Sequence, residues 1–333
     1  MHNLLDPAIL FFVFGLLAGA LRSNLEIPPA IAKFLSLYLL MALGLKGGFS
    51  LAASGLNPSI AVSLGAAVAL AFVVPALGYA LLRRYVSRYD AAAVAASYGS
   101  VSAVTFVTAM QYLEGVGLQA GGHMTVAMVL MESPAIIMAV LLANQLRQSA
   151  STVVPTGSGT AALCGGPGTS PTLGKILHES FTDGAHLLLL GAMAVGYLSG
   201  ESGKTMMQPF SGDLFKGMLA FFLLDMGLMV ARNFQEARKA SPVLIGYALM
   251  GPVVHATLAL GLAWLLSLPA ADTAMLMVLA ASASYIVVPA VLRYAIPEAN
   301  PALYFGLSLG LTFPFNILVG IPLYTAIAQR VLG

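Results

Sequence analysis

Ala281-Ser282-Ala283-Ser284-Tyr285-Ile286-Val287-Val288-Pro289-Ala290 is a run of small and hydroxyl residues closed by a proline, set inside a long apolar stretch. A second run of the same character, Ala95-Ala96-Ser97-Tyr98-Gly99-Ser100-Val101-Ser102-Ala103-Val104-Thr105, lies in the first half. Glycine, proline and hydroxyl side chains weaken a helix or offer its backbone other partners. In lipid, an unwound segment survives only where protein covers it or where it lines a cavity. The two runs therefore read as a pair of broken membrane helices, at Gly99-Ser100 and at Val288-Pro289, facing each other across a ligand site.

The composition around them sets the class. The chain has 333 residues, of which 59% are hydrophobic and 8% charged. Soluble domains carry about a quarter charged residues, so this is an all-α integral membrane protein. Net charge is +2 and no Lys/Arg-rich run occurs, so nothing marks a nucleic-acid surface. The one cysteine, Cys164, excludes an internal disulfide and a cysteine metal cluster. Pro7 to Leu21 lacks the basic lead of a secretion signal and reads as a retained first helix.

A helical span needs roughly 20 mainly apolar residues. That rule predicts ten spans, near 7–21, 27–45, 58–82, 91–112, 123–146, 183–199, 213–231, 241–267, 270–292 and 303–328. Between the fifth and sixth lies a Gly/Ser/Thr/Pro segment, 147–182, whose composition suits a flexible linker. Two halves of five spans follow, 1–146 and 183–333. Arg22, Lys33, Arg83, Arg84, Arg88, Arg147, Lys175, Arg232, Arg238, Lys239 and Arg293 fall on one side, against Lys46, Lys204, Lys216 and Arg330 on the other. Cations are retained in the cytoplasm, which places the linker inside and both termini outside.

An odd number of spans per half inverts the second half relative to the first. Lys33 leads to Gly44-Leu45 as Lys216 leads to Gly227-Leu228, and Glu132-Ser133-Pro134 is echoed by Thr312-Phe313-Pro314. Inverted repeats with discontinuous helices mark secondary transporters, whose half-helix N-termini meet an anionic substrate near the bilayer midplane. On this reading Ser100, Ser102, Thr105, Ser282, Ser284 and Tyr285 bind substrate. Ser97, Glu132, Thr312 and Asn316 supply hard oxygens for a cation, sodium. For any one serine, close helix packing is an equal alternative. Asp225 in the seventh span reads as a charge with a basic neighbour or a subunit contact, and His255 and His186 as packing residues. No phosphate loop or hydrolase motif is present, which points to a non-enzyme driven by an ion gradient.

Several of these residues together resemble the sodium-dependent bicarbonate transporter family. The matching residues are Ile27-Pro28 with Lys33, Gly44-Leu45 with Gly47-Gly48, Pro134-Ala135 with Ala143-Asn144, Arg238-Lys239, Pro252 with His255, Ala281-Ser282 with Ser284, and Ile296-Pro297-Glu298-Ala299-Asn300-Pro301 followed by Pro314 and Ile321-Pro322. The resemblance implies ten spans in two inverted halves, a gate domain, and a core domain with crossing broken helices 4 and 9. It further implies sodium-coupled uptake of bicarbonate across a bacterial cytoplasmic membrane, a homotrimer embedded in lipid, and a cytoplasmic partner similar to PII signalling proteins. The chain departs from the family pattern at Tyr285 and Glu132, where aspartates are expected, and at Val287, Val288, Ala103 and Val104, which replace smaller or hydroxyl residues. These changes leave open a symporter of a larger organic anion, or a membrane receptor or scaffold that does not transport.

Overall fold

The computed structural model describes residues 6–55, 58–151, 184–238 and 240–333. Most of the expected linker lies outside the described residues. Its first residues do not behave as a linker, because the helix that begins at His123 continues to Ser151. The described regular structure is helical: α1 (Pro7–Ala20), α2 (Pro29–Ser54), α3 (Pro58–Leu82), α4 (Arg88–Gly99), α5 (Ala103–Gly115), α6 (His123–Ser151), α7 (Gly184–Met207), α8 (Leu214–Arg238), α9 (Pro242–Leu265), α10 (Ala270–Ala281), α11 (Val287–Ala295) and α12 (Pro301–Leu332).

Local chemistry sets the helix starts. Proline opens α1, α2, α3, α9 and α12, where its missing N–H belongs to a turn with no partner to lose. Asp6 caps α1 by accepting from Ala8 N at 2.8 Å, Ser87 caps α4 through Asp90 N at 3.0 Å, and Asn300 caps α12 through Ala302 N at 3.0 Å. Each such cap contributes about 1 kcal/mol.

Among the described residues, six stretches are long and apolar enough to cross a membrane. One of them, Leu187–Phe234, is 48 residues long, or about 72 Å if straight, more than twice the ~30 Å hydrocarbon core. Gly200 divides it with a φ of 55°, a backbone turn open to glycine. Large apolar side chains stand exposed on Phe11, Phe14 and Leu17 of the shorter α1 and on Leu198 and Trp264 of the long stretches. A surface this apolar faces lipid, and the chain is a multi-pass membrane protein.

The helices pair in a regular way. α1 packs along α8 and α2 along α7; α3 packs on α4 and α6, and α9 on α10. The first two contacts are made through glycine. A Cβ on Gly227 would stand 2.3 Å from the Phe12 carbonyl oxygen, and one on Gly48 would stand 2.2 Å from that of Met193. Only the absence of a side chain lets these backbones touch, which is how helices associate without a hydrophobic driving force in lipid.

The centre of the molecule belongs to the two short helices that end at the breaks. Ala91 to Gly99 of α4 and Ala271 to Ala281 of α10 are buried all round. A helix buried on every side lies at the middle of its protein. The fourth expected span is interrupted at Ser100–Ser102, between α4 and α5, one residue from the expected position. The ninth breaks earlier than expected, between Ala281 and Val287 instead of at Val288-Pro289. Pro289 is the third residue of α11, where an intrahelical N–H partner does not exist, so it begins the second segment rather than ending the first.

Candidate functional site

Both breaks are built from hydroxyl residues, and they are tied to each other in both directions. Ser284 N donates to the Ser97 carbonyl oxygen at 2.8 Å, and Ser102 N donates to Ser282 Oγ at 3.0 Å. Ser282 Oγ in turn donates to Leu279 O at 2.8 Å, inside its own helix end. Ser102 Oγ accepts from Thr105 N at 3.2 Å and so caps α5; Ser284 Oγ accepts from Val288 N at 3.3 Å at the start of α11. The sequence-predicted residues Ser97, Ser102, Ser282 and Ser284 are thus brought into one hydrogen-bonded cross, with Ser100 and Tyr285 as chain neighbours and Thr105 one turn away.

Hydroxyls at this cross fall into two sets. Those of Ser102, Ser282 and Ser284 hold the backbone. Those of Ser97, Ser100 and Thr105 are buried and have no hydrogen-bond partner among the described residues, whereas that of Tyr285 is buried against the Ser102 side chain. Buried polar atoms are nearly always satisfied, because leaving one bare costs about 1–3 kcal/mol. Three such oxygens flank the first break. Tyr285 packs its ring edge-on against Phe313 with centroids 5.4 Å apart, which turns an apolar wall toward the hydroxyl cluster.

The first turn of α5 adds donors. Ser102 meets the N–H of Thr105, and Phe106 N bonds to Ser102 O at 3.0 Å. Helix geometry leaves the N–H groups of Ala103 and Val104 without an intrahelical acceptor, and the positive end of the helix dipole favours an anion beside them. Ala103 and Val104 therefore contribute through the backbone, which their apolar side chains do not remove.

Thr312 and Asn316 stand behind this cluster on α12, and both are already bonded. Thr312 Oγ1 donates to Ala248 O at 2.8 Å and lies 2.5 Å from the Tyr98 hydroxyl. Asn316 Nδ2 donates to Ala281 O at 2.8 Å, next to the second break, and its Oδ1 accepts from Tyr324 at 3.3 Å. Glu132 is buried on α6, which packs on α3 and α4. Asp225 is half-buried on α8, away from both breaks in sequence and element. Val288 is fully buried in the apolar cluster around Leu82, Tyr98 and Leu292.

Sequence reasoning missed two participants, Tyr98 and Tyr247. Tyr98 sits in the run from Ala95 to Thr105, but its long-range bond to Thr312 has no local signal. Tyr247 and His255 of α9 stack near it, with ring centroids 5.0 Å and 6.5 Å from that of Tyr98. The expectation that His255 packs is met by these ring contacts, although its Nδ1 is buried without a hydrogen-bond partner. No group of three or more His, Cys, Asp or Glu suited to a metal occurs among the described residues.

A family model described as the Na+-dependent bicarbonate transporter superfamily matches residues 7–329. No curated protein matches the chain.

Proposed function

The chain belongs to the Na+-dependent bicarbonate transporter superfamily, and from that premise we propose that it is a sodium-coupled symporter that takes up bicarbonate or a similar small anion by alternating access. The observation that carries this reading is the set of unpartnered buried hydroxyls of Ser97, Ser100 and Thr105 beside the crossing of the two breaks. Ser100, Thr105 and Tyr285, together with the α5 N–H groups of Ala103 and Val104, form the anion cradle. Ser102, Ser282 and Ser284 hold its walls at a fixed distance and line it. Sodium, as co-transported cargo, takes oxygens from Ser97 and Glu132. Thr312 and Asn316 each keep a lone pair on the oxygen that already accepts from a tyrosine.

The helix pairing supports an inverted repeat of five helices per half. Exchanging the halves turns the α1–α8 contact into the α7–α2 contact and the α3–α4 contact into the α9–α10 contact. On this scheme α1, α2, α7 and α8 make the gate domain and the remaining helices the core. Both termini face outward from a bacterial cytoplasmic membrane, as the loop cations indicate. A homotrimer and a PII-like cytoplasmic regulator belong to the same proposal through the family.

The test is uptake of labelled bicarbonate into proteoliposomes with an inward sodium gradient, and with potassium in its place. The expected result is accumulation above equilibrium only with sodium. Equal uptake in potassium overturns sodium coupling. No uptake from folded protein overturns bicarbonate as substrate. The packing of Tyr285 on Phe313 favours the second reading, a larger organic anion, and strong competition by short carboxylates would select it.

A further inference from the structure

The turn from α3 into α4 concentrates cations. Arg83, Arg84 and Arg88 fall within a few residues of one another, and all three are exposed. None of them makes an ion pair among the described residues. Arg83 has only an aromatic neighbour, the Tyr79 ring, whose centroid is 5.9 Å away. The acid of this turn, Asp90, accepts from Asn300 N at 2.8 Å and from Ser87 Oγ at 2.7 Å. Setting its full charge against one arginine still leaves a cationic surplus from the other two. Glu298, close to Asn300 in the chain, is matched by Arg147 at 2.9 Å.

The same arginines close a lipid-facing stripe. Val73, Leu77 and Leu81 recur every fourth residue of α3 and are 44%, 49% and 49% exposed, which puts them on one face of the helix. Helical hydrogen bonds run on past Leu82, from Arg83 N to Tyr79 O at 3.0 Å and from Val86 N to Leu82 O at 3.1 Å. Arg84 and Tyr85 therefore continue that face one turn beyond Leu81, and Tyr85 is 59% exposed. From Val73 to Leu81 the stripe is about 12 Å long, close to the ~15 Å depth of one hydrocarbon leaflet. Acyl chains laid along it bring a headgroup level with Arg84, and tyrosine belongs at that level. Guanidinium forks pair with phosphate oxygens. We propose that the α3–α4 turn binds an anionic phospholipid, its phosphate held chiefly by Arg84 with Arg83 and Arg88 flanking it, its acyl chains along Leu77 and Leu81. Asp90 ties this turn to Asn300, and α4 runs from it to Gly99 at the first break, so an occupied site steadies the helix that carries Ser97. The inference does not depend on what is transported.

Two measurements on the full-length protein in detergent test this. Phosphatidylglycerol added to the micelles should raise the melting temperature about 2–4 °C more than the same amount of phosphatidylcholine. The triple variant Arg83→Gln, Arg84→Gln, Arg88→Gln should lose at least half of that difference. In phosphatidylcholine it should melt as wild type, since no ion pair among the described residues is removed. Equal shifts for the two lipids, or the full difference in the variant, overturn the proposal. Soluble glycerol phosphate should give no shift; a shift equal to that of phosphatidylglycerol overturns the lipid in favour of a free phosphate compound. The second measurement needs no variant. Each lipid, carrying a photoreactive group in an acyl chain, is cross-linked to the wild-type protein and the labelled peptides are identified by mass spectrometry. Labelling of residues 77–85 should be at least about threefold greater with phosphatidylglycerol at low salt, and that preference should shrink as salt screens the arginines. Equal labelling by both lipids at low salt overturns the site and leaves the arginines to an acidic soluble partner.

Discussion

At the scale of single residues, the hydroxyls at the breaks divide by what they already do, and the division is measurable. Ser102 Oγ is an N-cap, so Ser102→Ala should cost about 1 kcal/mol of stability as well as uptake. Ser100 and Thr105 have no partner to lose. Ser100→Ala and the isosteric Thr105→Val should therefore leave the melting temperature in detergent unchanged or slightly raised, since each removes a bare buried oxygen, while uptake falls at least tenfold. Wild-type uptake in both would return these hydroxyls to a packing role. The sequence allowed the cluster to be named, because hydroxyls at the middle of an apolar span are visible without coordinates. It could not separate bonded from free hydroxyls, since that depends on which oxygen of the other half arrives opposite each one.

Among the elements, the first break depends on a tight fit between α3 and α4. A Cβ on Gly99 would lie 2.5 Å from Cγ, 2.7 Å from Cδ and 2.8 Å from Cβ of Pro75. That ring is fixed to the backbone inside α3 and cannot rotate away. Gly99→Ala should push α3 from α4, costing about 1–3 kcal/mol, visible as a lower melting temperature together with reduced uptake. A melting temperature equal to wild type would mean that the α3–α4 contact is slack. The position of this break was legible to within a residue because Gly99, Ser100 and Ser102 all point to it. The second was misplaced because proline reads as a breaker wherever it stands, whereas at the third position of a new helix it costs nothing. Ile286, Val287 and Val288 gave no warning that a helix begins among them.

For the whole molecule, one exposed ion pair ties α6 to the loop between α11 and α12. Arg147, on α6, donates to both carboxylate oxygens of Glu298 at 2.9 Å and to Ala295 O at 2.8 Å. Hydrogen bonds from Arg147, and then its charge, hold the Glu298 carboxyl below its ordinary range against partial desolvation. A depressed carboxyl stabilises the fold above its unfolded pKa and loses that contribution as pH falls through the folded value. About a third of each side chain is exposed, so the contribution is at most about 0.5 kcal/mol. Glu298→Gln should lower the melting temperature slightly at neutral pH, with the gap to wild type closing below about pH 4; a gap that persists in acid would assign it to packing. The apolar, helical, membrane-spanning character of the chain could be read from composition, but the pairing of α1 with α8 and α2 with α7 could not, since glycines at Gly15, Gly44, Gly48 and Gly227 license a close neighbour without saying which. That pairing bears on how the protein is made. α1 and α2 leave the ribosome and enter the bilayer long before α7 and α8 are synthesised, so their glycine faces wait against lipid or a chaperone. A chain stalled or cut between α6 and α7 would leave α1 and α2 with no surface to close upon, and membrane quality control would be expected to remove it.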